Sequence, residues 1–159
     1  MIRELGRPGD LGWVIQAHGE LYASEWGWDA SFETLVARIV AGYAGGHDPV
    51  RENAWIAERQ DGRRAGSVFC VDGGDDTAVL RVLLVVPEAR GHGFGARLVD
   101  TCLDFARRSG YRRTRLWTTD QQATAGRLYV SRGFELVEEE PHVGFGAGQV
   151  KGQTYVLTF

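Results

Sequence analysis

The sequence has few cysteines, no long apolar run and no strong excess of either charge. Cys70 and Cys102, the 2 cysteines, sit inside apolar patterns without metal-ligand spacing, which reads as two small buried hydrophobes in a reducing compartment. A formal net charge of −3 gives no global attraction to nucleic acid or to an anionic membrane, so neither is expected as a partner. No stretch is long enough to span a bilayer, and "MIRELGRPGD" lacks the apolar core of a signal peptide, so the expected location is cytoplasmic. Internal repeats, heptads and low-complexity tracts are missing as well. What remains is 159 residues with 43% hydrophobic and 25% charged content, enough for a single domain over 1–159 with its own core.

Periodicity orders the elements. "IREL" predicts a short strand, and Asp10 is placed to cap a helix running to about Ser24, with Val14, His18, Tyr22 and Glu25 along one side. "EWGWD" breaks that helix. Ser31 is placed to cap a second one, with an apolar stripe of Phe32, Leu35, Val36, Ile39, Val40 and Tyr43. Three strands at hairpin spacing follow, "AWIAER", "GSVFCV" and "AVLRVLLVV". A helix through Leu98, Cys102 and Ala106 comes next, then the strand "RTRLWTT" and the short helix "QATAGRLYVSR". "FELVEE" and "TYVLTF" are two last strands, joined by the loop "PHVGFGAGQVKG". The sum is an α+β domain in the order β-α-α-β-β-β-α-β-α-β-β around a mixed, mostly antiparallel sheet. The helical crossover makes "AVLRVLLVV" parallel to "RTRLWTT". The exposed terminal strand "TYVLTF" is a candidate for pairing in a homodimer.

"VVPEARGHGFGARLV" then raises a chemical question. Glycine is a poor way to begin a helix unless something must approach the backbone. A helix start offers unpaired amides and the positive end of a dipole, and without Cβ atoms an anion can rest directly on them. Arg90 adds a forked donor for phosphate oxygens. The stretch therefore suits a diphosphate. "GHGFGA" satisfies the dinucleotide pattern G-x-G-x-x-G/A, but an acidic residue at the expected distance and further βαβ units are lacking, and no Gly-Lys-Ser/Thr occurs.

The same residues resemble the acyl-CoA-binding motif R/Q-x-x-G-x-G/A of the GCN5-related N-acetyltransferases, through Arg90, Gly93 and Gly95. "QATAGRLYVSRGF" is similar to that superfamily's next motif, N-x-x-A-x-x-L-Y-x-x-x-G-F, through Ala125, Leu128, Tyr129, Gly133 and Phe134, with Gln122 where asparagine is common. Residues 8–40 and the tail "EEPHVGFGAGQVKGQTY" further resemble the acetyltransferase half of bacterial proteins that fuse a MarR-type winged helix to this domain. Residue 1 already begins the acetyltransferase-like part, so DNA binding is not carried over.

The resemblance implies acetyl transfer from acetyl-CoA to a primary amine of a small molecule or peptide, by direct attack in a ternary complex. It implies that the main chain of Arg90, Gly91, His92, Gly93, Phe94, Gly95 and Ala96 cradles the diphosphate. The backbone of Leu84, Val85 and Val86 would hold the pantetheine arm, and Gln122, Ala125 and Tyr129 would complete the cofactor side. Tyr129 matches the general acid that protonates the departing thiolate. Relatives often carry a glutamate on the strand before the loop, but "AVLRVLLVV" has no carboxylate. A water relay to Glu25 or His18 is the preferred substitute, with Glu58 and His142 as further candidates for the base. Tyr22, Trp28 and His142 are expected at the acceptor, and the arginines of "ARRSGYRRTR" form a solvated face or meet the adenosine 3′-phosphate. Two other readings stay open: an acyl-CoA sensor without turnover, and a nicotinamide-dependent oxidoreductase. No metal is expected.

Overall fold

A computed structural model describes residues 1–146 and 148–159. Over these residues the chain forms β1 (Ile2–Glu4), α1 (Asp10–Trp26), α2 (Ala30–Gly46), β2 (Asn53–Glu58), β3 (Arg64–Asp72), β4 (Thr77–Val85), α3 (Phe94–Arg108), β5 (Arg113–Thr119), α4 (Ala123–Ser131), β6 (Glu135–Val143) and β7 (Gln149–Thr158). The seven strands make one sheet in the order β1-β2-β3-β4-β5-β7-β6, antiparallel throughout except for the β4–β5 pair. This is the expected mixed α+β class and the expected order of elements.

Three local expectations change. Asp10 is not a cap: Gly9 occupies that position, and Asp10 is the fully buried first residue of the helix. Its carboxylate accepts from Arg3, Arg64 and the amides of Gly6 and Arg7. Burial alone would raise its pKa, but those donors hold it well below the ordinary carboxylate range. The cap of α2 is Asp29, whose carboxylate accepts from the Ser31 amide, rather than Ser31 itself. The long loop over 141–152 is mostly strand, because β6 and β7 extend into it and pair as far as Val143 and Gln149.

The terminal strand is not an edge either. β7 lies between β5 and β6, so its backbone is already paired on both sides. β6 is the edge, and it carries Glu135, Glu138, Glu139, Glu140 and Pro141, the charges and proline that discourage strand addition.

Alternation of side chains across the sheet builds two apolar layers. On one face α3 and Tyr129 of α4 pack Leu98, Val99, Cys102 and Ala106 against Val68, Cys70, Ala78, Leu80, Leu116 and Tyr155. On the other, α1 and α2 pack Val14, Tyr22, Phe32, Val36 and Val40 against Ile56, Phe69 and Leu84.

The sheet parts at its centre. β4 pairs with β5 only from Thr77 to Val79, opposite Arg113 to Arg115. β4 then continues beside β3 to Val85, while β5 continues beside β7 to Thr119. A bulge opposite Ser67–Phe69 marks the divergence, with Val82 at φ 53 and its carbonyl accepting from Ser67 Oγ at 2.8 Å. A β-branched residue in that region costs about 1–3 kcal/mol and persists where its surroundings over-determine it.

Candidate active site

The opened wedge holds two cavities. The first, about 550 Å³, lies between the end of β4, the loop into α3 and the start of α4. Arg90, Gly91, Gly93, Phe94 and Gly95 line one end. Gly91 and Gly93 have φ of 82 and 78, and a Cβ at either would meet nothing within 4 Å. Their bare backbone therefore faces open space at the head of a 15-residue helix, where unpaired amides converge. That geometry fits a diphosphate. Leu83, Leu84 and Val85 line the next stretch. Since the Val86 amide donates to Ala65 of β3 at 2.9 Å, strand alternation turns the Val85 and Leu83 backbone to the unpaired edge. An extended, amide-bearing chain can add there as a strand would.

The second cavity, about 410 Å³, lies beneath α2. Its wall is a cluster of rings: Tyr22 stacks on Phe32 at 4.4 Å, Trp28 meets Phe32 edge-on at 4.8 Å, and Phe145 stacks on Trp28 at 4.8 Å. Leu35, Val36 and Ile39 of α2 close it from above, and Val79, Arg81, Arg115 and Trp117 come from the sheet. Tyr22, Leu83 and Gln122 line both cavities, and the Tyr22 hydroxyl donates to Gln122 Oε1 at 3.4 Å across their junction.

Two protonatable groups face the second cavity with unusual settings. His18 is buried, and its ring contacts the Val14 carbonyl through Nδ1 at 2.8 Å. That contact requires Nδ1–H, so the lone pair is on Nε2, which has no hydrogen-bond partner among the described residues. Burial lowers the His18 pKa to about 4, so the ring is neutral in the physiological range. Burial, with Tyr22 beside it, pushes the Tyr129 hydroxyl above the ordinary phenol range, so it keeps its proton.

The positions singled out in the sequence are distributed as follows. Arg90, Gly91, Gly93, Phe94, Gly95, Leu84, Val85, Gln122 and Ala125 line the first cavity; His18, Tyr22, Trp28 and Tyr129 line the second. Val86 does not line the first cavity, and alternation turns the backbone of both Val86 and Leu84 to β3, so the free edge expected over Leu84–Val86 belongs instead to Leu83 and Val85. His92 turns outward to a separate depression with Glu58, and Ala96 lies one residue inside the helix from the lining. Glu58 is held by Arg3 at 2.8 Å and lies outside the wedge.

Glu25, two turns along α1 from His18, does not join it at the second cavity. It reaches the first cavity and pairs with Arg90 at 2.7 Å. His142 lies in β6, edge-on to Trp117 at 5.0 Å, and the ring that this hairpin contributes to the wall of the second cavity is Phe145. Sequence reasoning did not single out Leu83, Arg81, Trp117 or Phe145, and it gave Arg115, the last residue of "ARRSGYRRTR", to a solvated face or the adenosine 3′-phosphate, whereas it lies at the second cavity. Arg81 left a signal, as the single charge in "AVLRVLLVV".

The comparisons with known proteins agree with this fold. No curated protein matches the sequence. Among solved structures, yncA of Salmonella typhimurium, determined with its cofactor acetyl-CoA, superposes with a TM-score of 0.78 at 19% identity, over 99% of this chain and 92% of that one. A GCN5-related N-acetyltransferase from Kribbella flavida gives 0.80 at 21% identity, over 100% and 97%. An acetyltransferase of the GNAT family from Staphylococcus aureus Mu50 gives 0.80 at 16%, over 99% and 98%. The model of the acetyltransferase (GNAT) family matches residues 15–134, most of the chain and both cavities' central elements, and the chain belongs to that family.

Proposed function

We propose that the protein transfers an acetyl group from acetyl-CoA to a primary amine of a small molecule or peptide, by direct attack while both are bound. The observation that carries this reading is the wedge between β4 and β5, with a main-chain cradle on one side and a ring-lined cavity on the other, meeting at Tyr22, Leu83 and Gln122.

Acetyl-CoA, when bound, supplies the thioester that the amine attacks. The amides of residues 91–95 and the Arg90 guanidinium would hold its diphosphate, with Leu83 and Val85 pairing along its arm. Fixing both reactants in one cleft removes much of the entropic barrier. The His18 Nε2 lone pair, which belongs to the lining of the second cavity but is itself buried, would take the ammonium proton through water. Tyr129, which keeps its hydroxyl proton, would donate it toward the departing sulfur. Glu25, occupied by Arg90, is better suited to aiming that guanidinium than to taking a proton.

The test is CoA thiol release from acetyl-CoA across a panel of amines. Release with at least one amine is the expected result. Tight acetyl-CoA binding with no release from any amine would replace the reading with that of an acyl-CoA sensor.

A further inference from the structure

On the side of α1 and α2 the sheet is covered over part of its width. The two helices pack on β2, β3 and β4, through Ile56, Phe69 and Leu84, and β5, β7 and β6 extend beyond them. Strand register continues that face outward, since Phe69 pairs with Arg81 and Val79 with Arg115. Arg115, Val156 and Glu135 then form one cross-strand row, and Trp117, Thr154 and Glu138 the next. Arg115, Glu135 and Glu138 are exposed. Trp117 keeps 43% of its surface in solvent, and its indole lies against Gly152 of β7, where a Cβ would come within 2.9 Å of it. Tryptophan and arginine on an open sheet face are the composition of an interaction surface.

The charges on this face are sorted by strand. Arg81 and Arg115 stand on β4 and β5, and Glu135, Glu138 and Glu140 on the edge strand β6. The uncharged Val156, Thr154 and Gly152 of β7 lie between the two groups. None of these charged side chains has an ion pair or side-chain hydrogen bond among the described residues. Their neighbours do: Arg113 reaches Thr77 and the Asp75 carbonyl, and Glu139, on the opposite face, meets Lys151 and Gln153. A two-fold axis running along β7 would place the arginine side of one copy over the glutamate side of another. Such an axis keeps rows level, so Arg115 would face the partner's Glu135, with Val156 near the axis. The glutamates and proline of β6 oppose joining edge to edge, but not joining face to face.

The same face carries the mouth of the second cavity. Arg81, Arg115, Trp117 and Thr154 line that cavity from the sheet, and Leu35, 38% exposed, lines it from α2. We propose that the protein forms a homodimer through this bare sheet face, each copy closing the mouth of the other's second cavity. Exposure, register and charge carry this inference, so it stands apart from the acetyl-transfer reading.

Sedimentation equilibrium of the full chain at low and high salt tests the pairing, with Arg115→Glu, Glu135→Arg and the two combined. Both positions are exposed, so the variants should fold, which circular dichroism checks. The wild type should be a dimer that salt weakens. Each single reversal should weaken dimerisation about 10-fold or more, and the combination should restore it, because the reversed charges again face each other. A monomeric wild type, or a dimer that neither reversal weakens, would overturn the interface. Closure of the cavity is read separately, from maleimide labelling of Leu35→Cys, since Cys70 and Cys102 are buried. Labelling should be about 10-fold slower in the dimer than in the same chain carrying Glu135→Arg, a residue that lines neither cavity. Equal labelling of dimer and monomer would overturn the closure and leave the cavity open in the dimer.

Discussion

The cavity beside α3 is built from main chain, whereas the one beneath α2 is built from side chains. On the first side the contacts on offer are amides at Gly91–Gly95 and the free edge of β4 at Leu83 and Val85. On the second they are the rings of Tyr22, Trp28, Phe32 and Phe145 and the guanidinium groups of Arg81 and Arg115. Backbone can recognise only what is common to every acyl-CoA, the diphosphate and the amide-bearing arm. Side chains can be exchanged without disturbing the fold, and the proposed function gives the choice of acceptor to them.

Substitutions in the two cavities test that division, beginning with the strongest. Gly93→Glu puts bulk and negative charge where a Cβ now meets nothing within 4 Å, and CoA binding should fall below detection in calorimetry. Gly93→Ala, at the same φ of 78, isolates the backbone strain and should cost about 1 kcal/mol of stability. Retained CoA affinity in a folded Gly93→Glu protein would break the cradle assignment.

Tyr129→Phe keeps the ring but removes the proton donor. Its kcat should drop about 100-fold with KM for acetyl-CoA little changed. An unaltered kcat would leave Tyr129 as a packing residue against Phe134 and Tyr155.

His18 sharpens the comparison through pH. Its folded pKa of about 4 lies below the 6.5 of the unfolded chain, so between those values the unfolded state takes up the proton and the folded state does not. Stability is therefore full above about pH 6.5 and should decline by about 3 kcal/mol as pH falls toward 4. Asp10, held low by its arginines, adds its own loss only at more acid pH. Urea unfolding of the wild type and His18→Gln between pH 4 and 7 checks this; the variant should show a flatter profile. Equal slopes would mean that the folded and unfolded chains protonate His18 alike, so that burial does not lower its pKa.

The smallest effect is expected at Glu25. Its pair with Arg90 is partly exposed and contributes at most about 1 kcal/mol. Glu25→Gln should change kcat less than about 3-fold in the CoA-release assay. A loss above 100-fold would return the base to Glu25.

How much of this was legible in the sequence follows the same division. The cradle was visible because glycine at Gly91 and Gly93 has a backbone cause that can be read locally, and Tyr129 because its helix carries a family motif. The element order was visible in the 3.6 and 2.0 periods. Strand ends at 141–152 were not, because glycines and a proline in "PHVGFGAGQVKG" read as loop while pairing carries β6 on to Val143 and starts β7 at Gln149. Glu25 and His18 share a helix face in projection, yet the divergence of β4 from β5 assigns them to different cavities. Arg115 and Trp117 of β5 and Phe145 of the β6–β7 turn lie some thirty residues apart in sequence, and only the closed fold brings them to one wall.

The measurement that bears most directly on the account is a crystal structure with bound CoA. The account places the diphosphate on the amides of residues 91–95 with Arg90, and the arm along Leu83 and Val85 in the gap where β4 leaves β5. A bound CoA whose diphosphate lies elsewhere, with that gap filled by protein, would contradict it.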